Sequence, residues 1–512
     1  MKIYLITPKN PESFWTLDRI LPSLGKKCIF PNLSMPTVAA LTPREHEIVL
    51  CDENVESVDF DTDADIVGVT GYVVHAERVI DILSRFLRRG KFVVAGGPLA
   101  TLCPERLRAH ADVLFVNEAE YTWPRFLKEY AAGTWQAEYR QEEKPDLKDS
   151  PAPRLDLIKA GKYRTLTLQF ARGCPYQCEF CDIIVMYGRK PRTKSPAQIL
   201  AEVEQIRLLG ASNAFVVDDN FIGNKGEAAA LLRVLAQWQE VHGYPLEFMT
   251  EVSINLSQDP ELLKLMRRAN FTTVFVGIES PRAQSLQEAH KTQNLRQSLV
   301  ESVRSIQAAG IEVMAGMIVG FDGDDAAIFD EQFRFLQDAG IPVAMAGMLN
   351  AIPKTPLYER LKRAGRLAAE SVGDQFVFTN VIPKGMSRAE LYEGYRRLLR
   401  RLYGYRNYRR RAMRFILAHS RPERLSLPSR KDLGICLRVF WNCVLNAAPR
   451  RAWLTVSLVA ETALRRPWAL RRAVTFALLH KHLYEYMSET SRQLKVAARG
   501  FKAPGGCAAP SV

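Results

Sequence analysis

Twice along the chain, short continuous apolar runs alternate with longer stretches of helical periodicity, the pattern of parallel sheets covered by helices on both faces. In the first block, residues 1–140, strands are expected at 2–7, 47–51, 65–70, 92–95 and 113–116. Between them, the 75–89 segment puts Val79, Ile82, Leu83 and Phe86 on one helical face. This predicts a doubly wound, Rossmann-like α/β domain that binds ligands at the carboxyl ends of its strands. A polar stretch from Gln136 to Arg154, broken by Pro145, Pro151 and Pro153, marks a linker, set at 141–160. The second block, 161–365, has strands expected at 165–170, 214–217, 246–250, 273–278, 312–319 and 342–349. Six successive βα units predict a partial, open relative of the (β/α)₈ barrel, with its chemistry at the strands' C-terminal ends. From 366 to 512 the pattern is helical and basic.

The cysteines point to a reducing compartment. There are nine, an odd number, and three fall at Cys174, Cys178 and Cys181 while Cys28, Cys51, Cys103, Cys436, Cys443 and Cys507 are scattered. The N-terminal apolar run is too short for a signal peptide, so a cytoplasmic protein is expected. No apolar stretch reaches the roughly 18 residues of a membrane span; the longest C-terminal candidate, 453–464, is cut by Glu461. The net charge of +14 comes largely from late arginines, among them Arg396-Arg397, Arg400-Arg401 and Arg409-Arg410-Arg411. It therefore belongs to one region, and no nucleic-acid partner is expected.

The central motif is Arg172-Gly173-Cys174-Pro175-Tyr176-Gln177-Cys178-Glu179-Phe180-Cys181, directly after the first strand of the second block. Three soft thiolates gathered by one loop suit an iron–sulfur cubane and leave one of its four irons open to another ligand. A structural zinc site is the alternative, but zinc motifs usually pair two half-sites and no second pair follows. Cys-x3-Cys-x-Phe-Cys after the first strand of such an array resembles the radical S-adenosylmethionine (SAM) superfamily. The resemblance implies that Cys174, Cys178 and Cys181 hold a [4Fe–4S] cluster whose open iron chelates SAM, that reduction cleaves SAM to a 5′-deoxyadenosyl radical, and that Phe180 packs near the adenine. It also implies SAM contacts at later strand ends: Asp218 and Asp219 in Val217-Asp218-Asp219-Asn220, Glu251 after Thr250, Glu279 in Gly277-Ile278-Glu279-Ser280, and Gly316 and Gly320 in Gly316-Met317-Ile318-Val319-Gly320. Each carboxylate also has a plainer reading, as a helix cap or a solvated loop residue.

A parallel α/β domain ahead of such a barrel resembles the cobalamin-binding modules of the B12-dependent subclass. The matching loops are Thr70-Gly71-Tyr72, Gly96-Gly97-Pro98 and Val116-Asn117-Glu118-Ala119-Glu120, which implies that Thr70, Gly71, Tyr72, Gly96, Gly97 and Glu118 line the corrin. The Asp-x-His-x-x-Gly motif that supplies a lower-axial histidine elsewhere is absent: around His75 its first position holds Val73 and its last holds Arg78. The lower face of the corrin is thus expected to lack a histidine. A module that retains only a packing role is the alternative.

Longer stretches resemble the hopanoid C-2 methylase subfamily over roughly residues 1–410. They include Phe170-Ala171-Arg172-Gly173-Cys174-Pro175, Asp218-Asp219-Asn220-Phe221-Ile222-Gly223-Asn224-Lys225, Gly277-Ile278-Glu279-Ser280-Pro281 and Glu12-Ser13-Phe14-Trp15. The resemblance implies a radical SAM C-methyltransferase that moves a methyl group from SAM through methylcobalamin to an unactivated or poorly nucleophilic carbon. Its substrate would be a lipid or other small molecule, and its electrons would come from an external donor. Two alternatives stand beside it: a non-methylating cyclisation or rearrangement with the same cofactors, and a zinc-stabilised binding module. In the tail, 391–416 mixes an apolar face with many arginines. Such a helix either packs on the barrel with its arginines solvated or rests on the inner membrane surface as a peripheral contact.

Overall fold

The computed structural model describes residues 1–418, 434 and 437–501; Cys436 and Cys507 lie outside them. Six strands form the N-terminal sheet: β1 (Lys2–Thr7), β2 (Glu47–Asp52), β3 (Ile66–Thr70), β4 (Phe92–Gly96), β5 (Val113–Val116) and β6 (Glu138–Arg140). All pairs are parallel, in the order β2-β1-β3-β4-β5-β6. The middle strand β3, Ile-Val-Gly-Val-Thr, is buried along its whole length, which is why it reads as a continuous apolar run. Val79, Ile82, Leu83 and Phe86 are buried on the helix Ala76–Leu87.

β6 lies in the polar stretch that opens at Gln136 and is not among the expected strands. It is a three-residue edge strand, Glu-Tyr-Arg, in which Tyr139 alone is buried, stacked on Phe115. One inward side chain gives no periodicity to detect.

The second sheet contains β7 (Leu166–Leu168), β10 (Asn213–Val216), β11 (Glu247–Val252), β12 (Phe271–Glu279), β13 (Glu312–Val319) and β14 (Ala344–Met348). Its order, β14-β13-β12-β11-β10-β7, follows the chain, and every pair is parallel. It is the open six-stranded array expected, although β7 is shorter than predicted. A small antiparallel ribbon, β8 (Ala171–Arg172) with β9 (Arg192–Thr193), closes the loop between them.

The N-terminal segment crosses to the barrel. Phe14 is buried there against Phe376 and Tyr403, and Trp15 lies edge-on to Phe275 while its indole N–H donates to Met345 Sδ at 3.0 Å.

The tail packs on the barrel. Leu391, Tyr392, Tyr395, Leu398, Leu399, Leu402 and Tyr403 are all buried on the helix Arg388–Tyr403. The Tyr395 hydroxyl donates to Ala346 O at 2.8 Å, and that of Tyr403 donates to Ala344 O. This apolar face is therefore consumed inside the protein and does not lie on a membrane. The helix ends at Gly404, and among the described residues helices follow over Tyr405–Ala418, Pro449–Arg465 and Leu470–Gly500. Among the described residues, no helix is long and apolar enough to cross a membrane.

Candidate cluster and cofactor site

The β8–β9 ribbon presents the cysteine loop at the C-terminal edge of the barrel sheet. Gly173 has φ +92°, and a Cβ there would come within 3.0 Å of the Gly188 and Lys190 carbonyl oxygens, so only glycine fits the turn into Cys174. Cys178 is buried and Cys174 and Cys181 are half-buried. Burial raises the thiols of Cys174 and Cys181, and each also feels Cys178. Amides reach two of the sulfurs: Asn220 Nδ2 lies 3.9 Å from Cys174 and Gln293 Nε2 lies 3.8 Å from Cys178. Among the described residues, no three His, Cys, Asp or Glu side chains converge on a point that would hold a single metal ion.

Asp218 and Asp219 hold this loop. Asp218 Oδ1 accepts from Phe170 N at 2.8 Å, and Asp219 Oδ2 accepts from Gly173 N at 2.9 Å. Asp218 thus spends Oδ1 on the backbone, while its Oδ2 is buried without a partner among the described residues. Asp219 retains a second oxygen and faces an interior space with Asp182 and Glu251. Burial raises all three carboxyls, Asp219 to about 6 and Glu251 to about 8, with Asp219 adding to the shift of Glu251.

Glu279 ends β12 at a β-bulge with φ +62°, a conformation costing about 1–3 kcal/mol for a non-glycine residue. The bulge aims its carboxylate at Lys291, whose Nζ lies 2.6 Å away, both side chains being buried. Burial works against the charge on Lys291, but Glu279 and then Cys178 outweigh it and raise its pKa. The ammonium sits 5.9 Å from the Phe180 ring, which packs on Phe321. A Cβ at Gly277 would displace the Glu279 carboxylate and the Lys291 ammonium from their pairing. A Cβ at Gly316 would strike the Phe275 ring, and Gly320, at φ +103°, opens a turn closed by Asp324.

Across the interior space lie the loops of the N-terminal sheet. Tyr72 is 49% accessible, yet protein surrounds its phenol and pushes the pKa to about 12, with Asp182, Asp219 and Glu251 adding to the shift. Its accessible ring therefore sits in a recess, called the chamber below, facing the carboxylates at the cysteine end of the barrel. Gly97, at φ +84°, lies against Thr70 and Gly71, where a side chain would clash with the Thr70 hydroxyl. His75 is committed elsewhere: Nδ1 accepts from Tyr72 N at 3.0 Å, Nε2 meets Asn10 Oδ1 at 2.9 Å, and burial lowers it to about 4. Glu118 is also turned away from the chamber. It is buried and paired with Arg172 at 2.8 Å and Arg192 at 3.0 Å, while Glu120 pairs with Arg172 at 2.7 Å. These ion pairs tie the N-terminal sheet to the cysteine loop.

Residues 168–336 match the radical SAM superfamily, and residues 355–496 match a domain of unknown function, DUF4070. An uncharacterized methyltransferase of Synechocystis is 41% identical over 512 residues, covering 98% of this chain and 95% of the relative. The hopanoid C-2 methylase of Rhodopseudomonas palustris is 35% identical over 374 residues, covering 72% of this chain and 71% of the relative. The chain belongs to the radical SAM methyltransferases that include hopanoid C-2 methylase. The similarity of this methyltransferase to the Synechocystis protein extends well beyond residue 410, into the tail. Its fold is that of the cobalamin-dependent SAM radical enzyme OxsB, at TM-score 0.60 and 14% identity over 98% of this chain and 83% of that one. The methyltransferase TsrM of Kitasatospora setae aligns at 0.58 and 16% identity over 71% and 76%. Membership removes the zinc-stabilised binding module.

The residues present fit the cofactors of a radical SAM methyltransferase. Three thiols from one loop feel one another, the side-chain amide of Gln293 beside Cys178 has its Oε1 buried without a partner, and the nearby carboxylates suit a sulfonium or ammonium cation. Lys291, Gln293, Asp182, Arg172 and Arg192 carry no assigned role in the sequence, whereas Asn220 stands in the Asp218-Asp219-Asn220 run. Lys291 and Gln293 follow a short helix and carry no spacing signal. Arg172 stands inside the cysteine motif itself, and its charge beside three thiols was the available clue.

Proposed function

We propose that this methyltransferase is cobalamin-dependent and moves a methyl group from SAM through methylcobalamin to an unactivated or poorly nucleophilic carbon of an apolar, lipid-like small molecule. Cys174, Cys178 and Cys181 are the cluster ligands in this reading, and an external donor supplies electrons. When bound, the cluster would supply the electron that cleaves SAM, so that a hydrogen atom can be taken from the substrate carbon, and cobalamin would supply the methyl group.

The chain's own residues do the positioning. Asp219 fixes the turn of the cysteine loop and, with Glu251 and Asp182, favours a cation in the chamber. Lys291, held by Glu279, is aimed at the ring of Phe180 and suits a carboxylate at the cluster. Gly71 and Gly97 keep the corrin-side loops low, and Tyr72 faces the barrel from them. The observation that carries the reading is this shared chamber: a corrin over Tyr72 and SAM at the cysteine loop would face one substrate. A peripheral membrane contact suits a lipid-like substrate.

Incubating anaerobically reconstituted protein with methyl-labelled SAM and candidate apolar acceptors tests it. Label in a product carbon is expected. Cleavage of SAM with no label in any accepted substrate would shift the reading to a cyclisation or rearrangement.

A further inference from the structure

Several exposed arginines of the tail have no ionic partner among the described residues. Between Arg396 and Arg414 the chain carries nine arginines and no acidic residue. Several are neutralised, as in Arg409–Glu461 and Arg414–Asp338. Arg400, Arg406, Arg410 and Arg450 are exposed, and among the described residues none of them makes a salt bridge.

They converge on one grooved surface. Arg400, Arg406 and Arg450 line a groove of about 790 Å³ floored by Tyr405, Trp453 and Tyr484. A second, of about 520 Å³, shares Arg406 and Trp453 with it and adds Arg410.

Apolar side chains stand out of the same region. Leu437, Phe440, Trp441 and Leu445 recur at helical spacing and are all more than half exposed, while Val439 and Cys443 behind them are buried against Ile20 and Leu478. The next helix, Pro449–Arg465, exposes Trp453, Val456 and Leu464 to the same degree. Large aliphatic and indole side chains facing solvent beside unpaired arginines match the depth profile of a bilayer surface, with acyl chains below and phosphates above. Nucleic acid would meet the arginines but gains nothing from exposed leucine and valine.

We propose that the surface formed by Phe440, Trp441, Trp453 and the unpaired arginines Arg406, Arg410 and Arg450 docks this protein on an anionic phospholipid bilayer. It is a different surface from the buried face of the helix Arg388–Tyr403. The groove reaches Tyr403, whose hydroxyl bonds Ala344 at the start of β14, so it lies at the end of the barrel opposite the cysteine loop. The surface therefore anchors the enzyme and leaves the chamber free. The proposal takes up the membrane contact of the proposed function, but its test reads binding without turnover, so the two fail separately.

The experiment is co-sedimentation of the full-length, reconstituted protein with phosphatidylcholine vesicles, with and without phosphatidylglycerol. Binding is expected to need phosphatidylglycerol and to fall as salt rises. Arg406→Glu with Arg450→Glu should weaken it by at least about tenfold, and so should Phe440→Ser with Trp441→Ser. Both variants should retain cluster absorbance and methyl transfer to a detergent-dispersed acceptor. For the unaltered protein, brominated acyl chains should quench tryptophan fluorescence only in anionic vesicles. Equal sedimentation of native and variant proteins, no preference for anionic vesicles, or tighter binding to a DNA duplex than to vesicles would overturn the proposal.

Discussion

Replacing Arg172 by leucine tests how the two halves of the enzyme are joined. Arg172 Nη1 lies 2.8 Å from Glu118 and 2.7 Å from Glu120, and the three side chains are 12%, 3% and 4% exposed. Burial opposes the guanidinium charge, yet Glu120 and Glu118 outweigh it and raise its pKa. In Arg172→Leu, Glu118 keeps Arg192 at 3.0 Å, but Glu120 keeps only the Ser150 hydroxyl at 3.2 Å. One carboxylate is then buried without a cation, which costs about 3–5 kcal/mol. At about 1.4 kcal/mol per decade, that is roughly a hundredfold to a few thousandfold in the local opening equilibrium. Hydrogen exchange read by mass spectrometry should show protection lost by that factor in peptides around 117–121 and 170–174, while peptides in α-helical 225–242 stay unchanged. Adding Glu120→Gln should restore at least half of the lost free energy, because the orphaned charge is gone. A loss below tenfold, or no recovery in the double variant, would refute the claim that this ion-pair cluster holds the cysteine loop to the N-terminal sheet.

Three further outcomes are expected. Glu251 titrates at about 8 in the fold against an ordinary 4.5, because of burial and then Asp219, so the native state binds the extra proton. Stability of the cofactor-free protein should therefore fall as pH rises from about 5 to 8, and Glu251→Gln should flatten thermal melts across that window. Lys291→Met leaves Glu279 buried and unpaired, and should cost about 3–5 kcal/mol in local stability by hydrogen exchange, with Lys291→Met/Glu279→Gln recovering part of it. Tyr395→Phe removes one buried hydrogen bond to Ala346 O and should lower tail stability by about 1 kcal/mol, read by exchange over 388–403, without changing iron content.

What the sequence made legible follows from which physical signals are local. Continuous apolar runs such as β3 and β13 announce parallel strands because both faces are covered, and the strand 312–319 was placed to the residue. The cysteine loop was legible because its three cysteines lie within eight residues of each other. Edge strand β6 was not, since a single inward tyrosine has no period. Side-chain direction was also hidden. Glu118 stands on a loop expected to face a corrin but turns to Arg172 and Arg192, and Asp218 stands at a strand end but turns to Phe170 N. Gly316 sits in a recognisable motif, yet its missing Cβ accommodates Phe275 from the neighbouring strand. Lys291 reaches Glu279 only through the bulge at Gly277–Glu279, a feature of register that no composition records.

The metal content of protein purified without oxygen and reconstituted with iron, sulfide and hydroxocobalamin is the most direct test. The unaltered chain should carry about four irons and about one cobalt, and Cys178→Ala should lose the iron while keeping the cobalt. Zinc in place of iron, or a full iron complement in Cys178→Ala, would contradict the assignment of these three cysteines and the chemistry built on them.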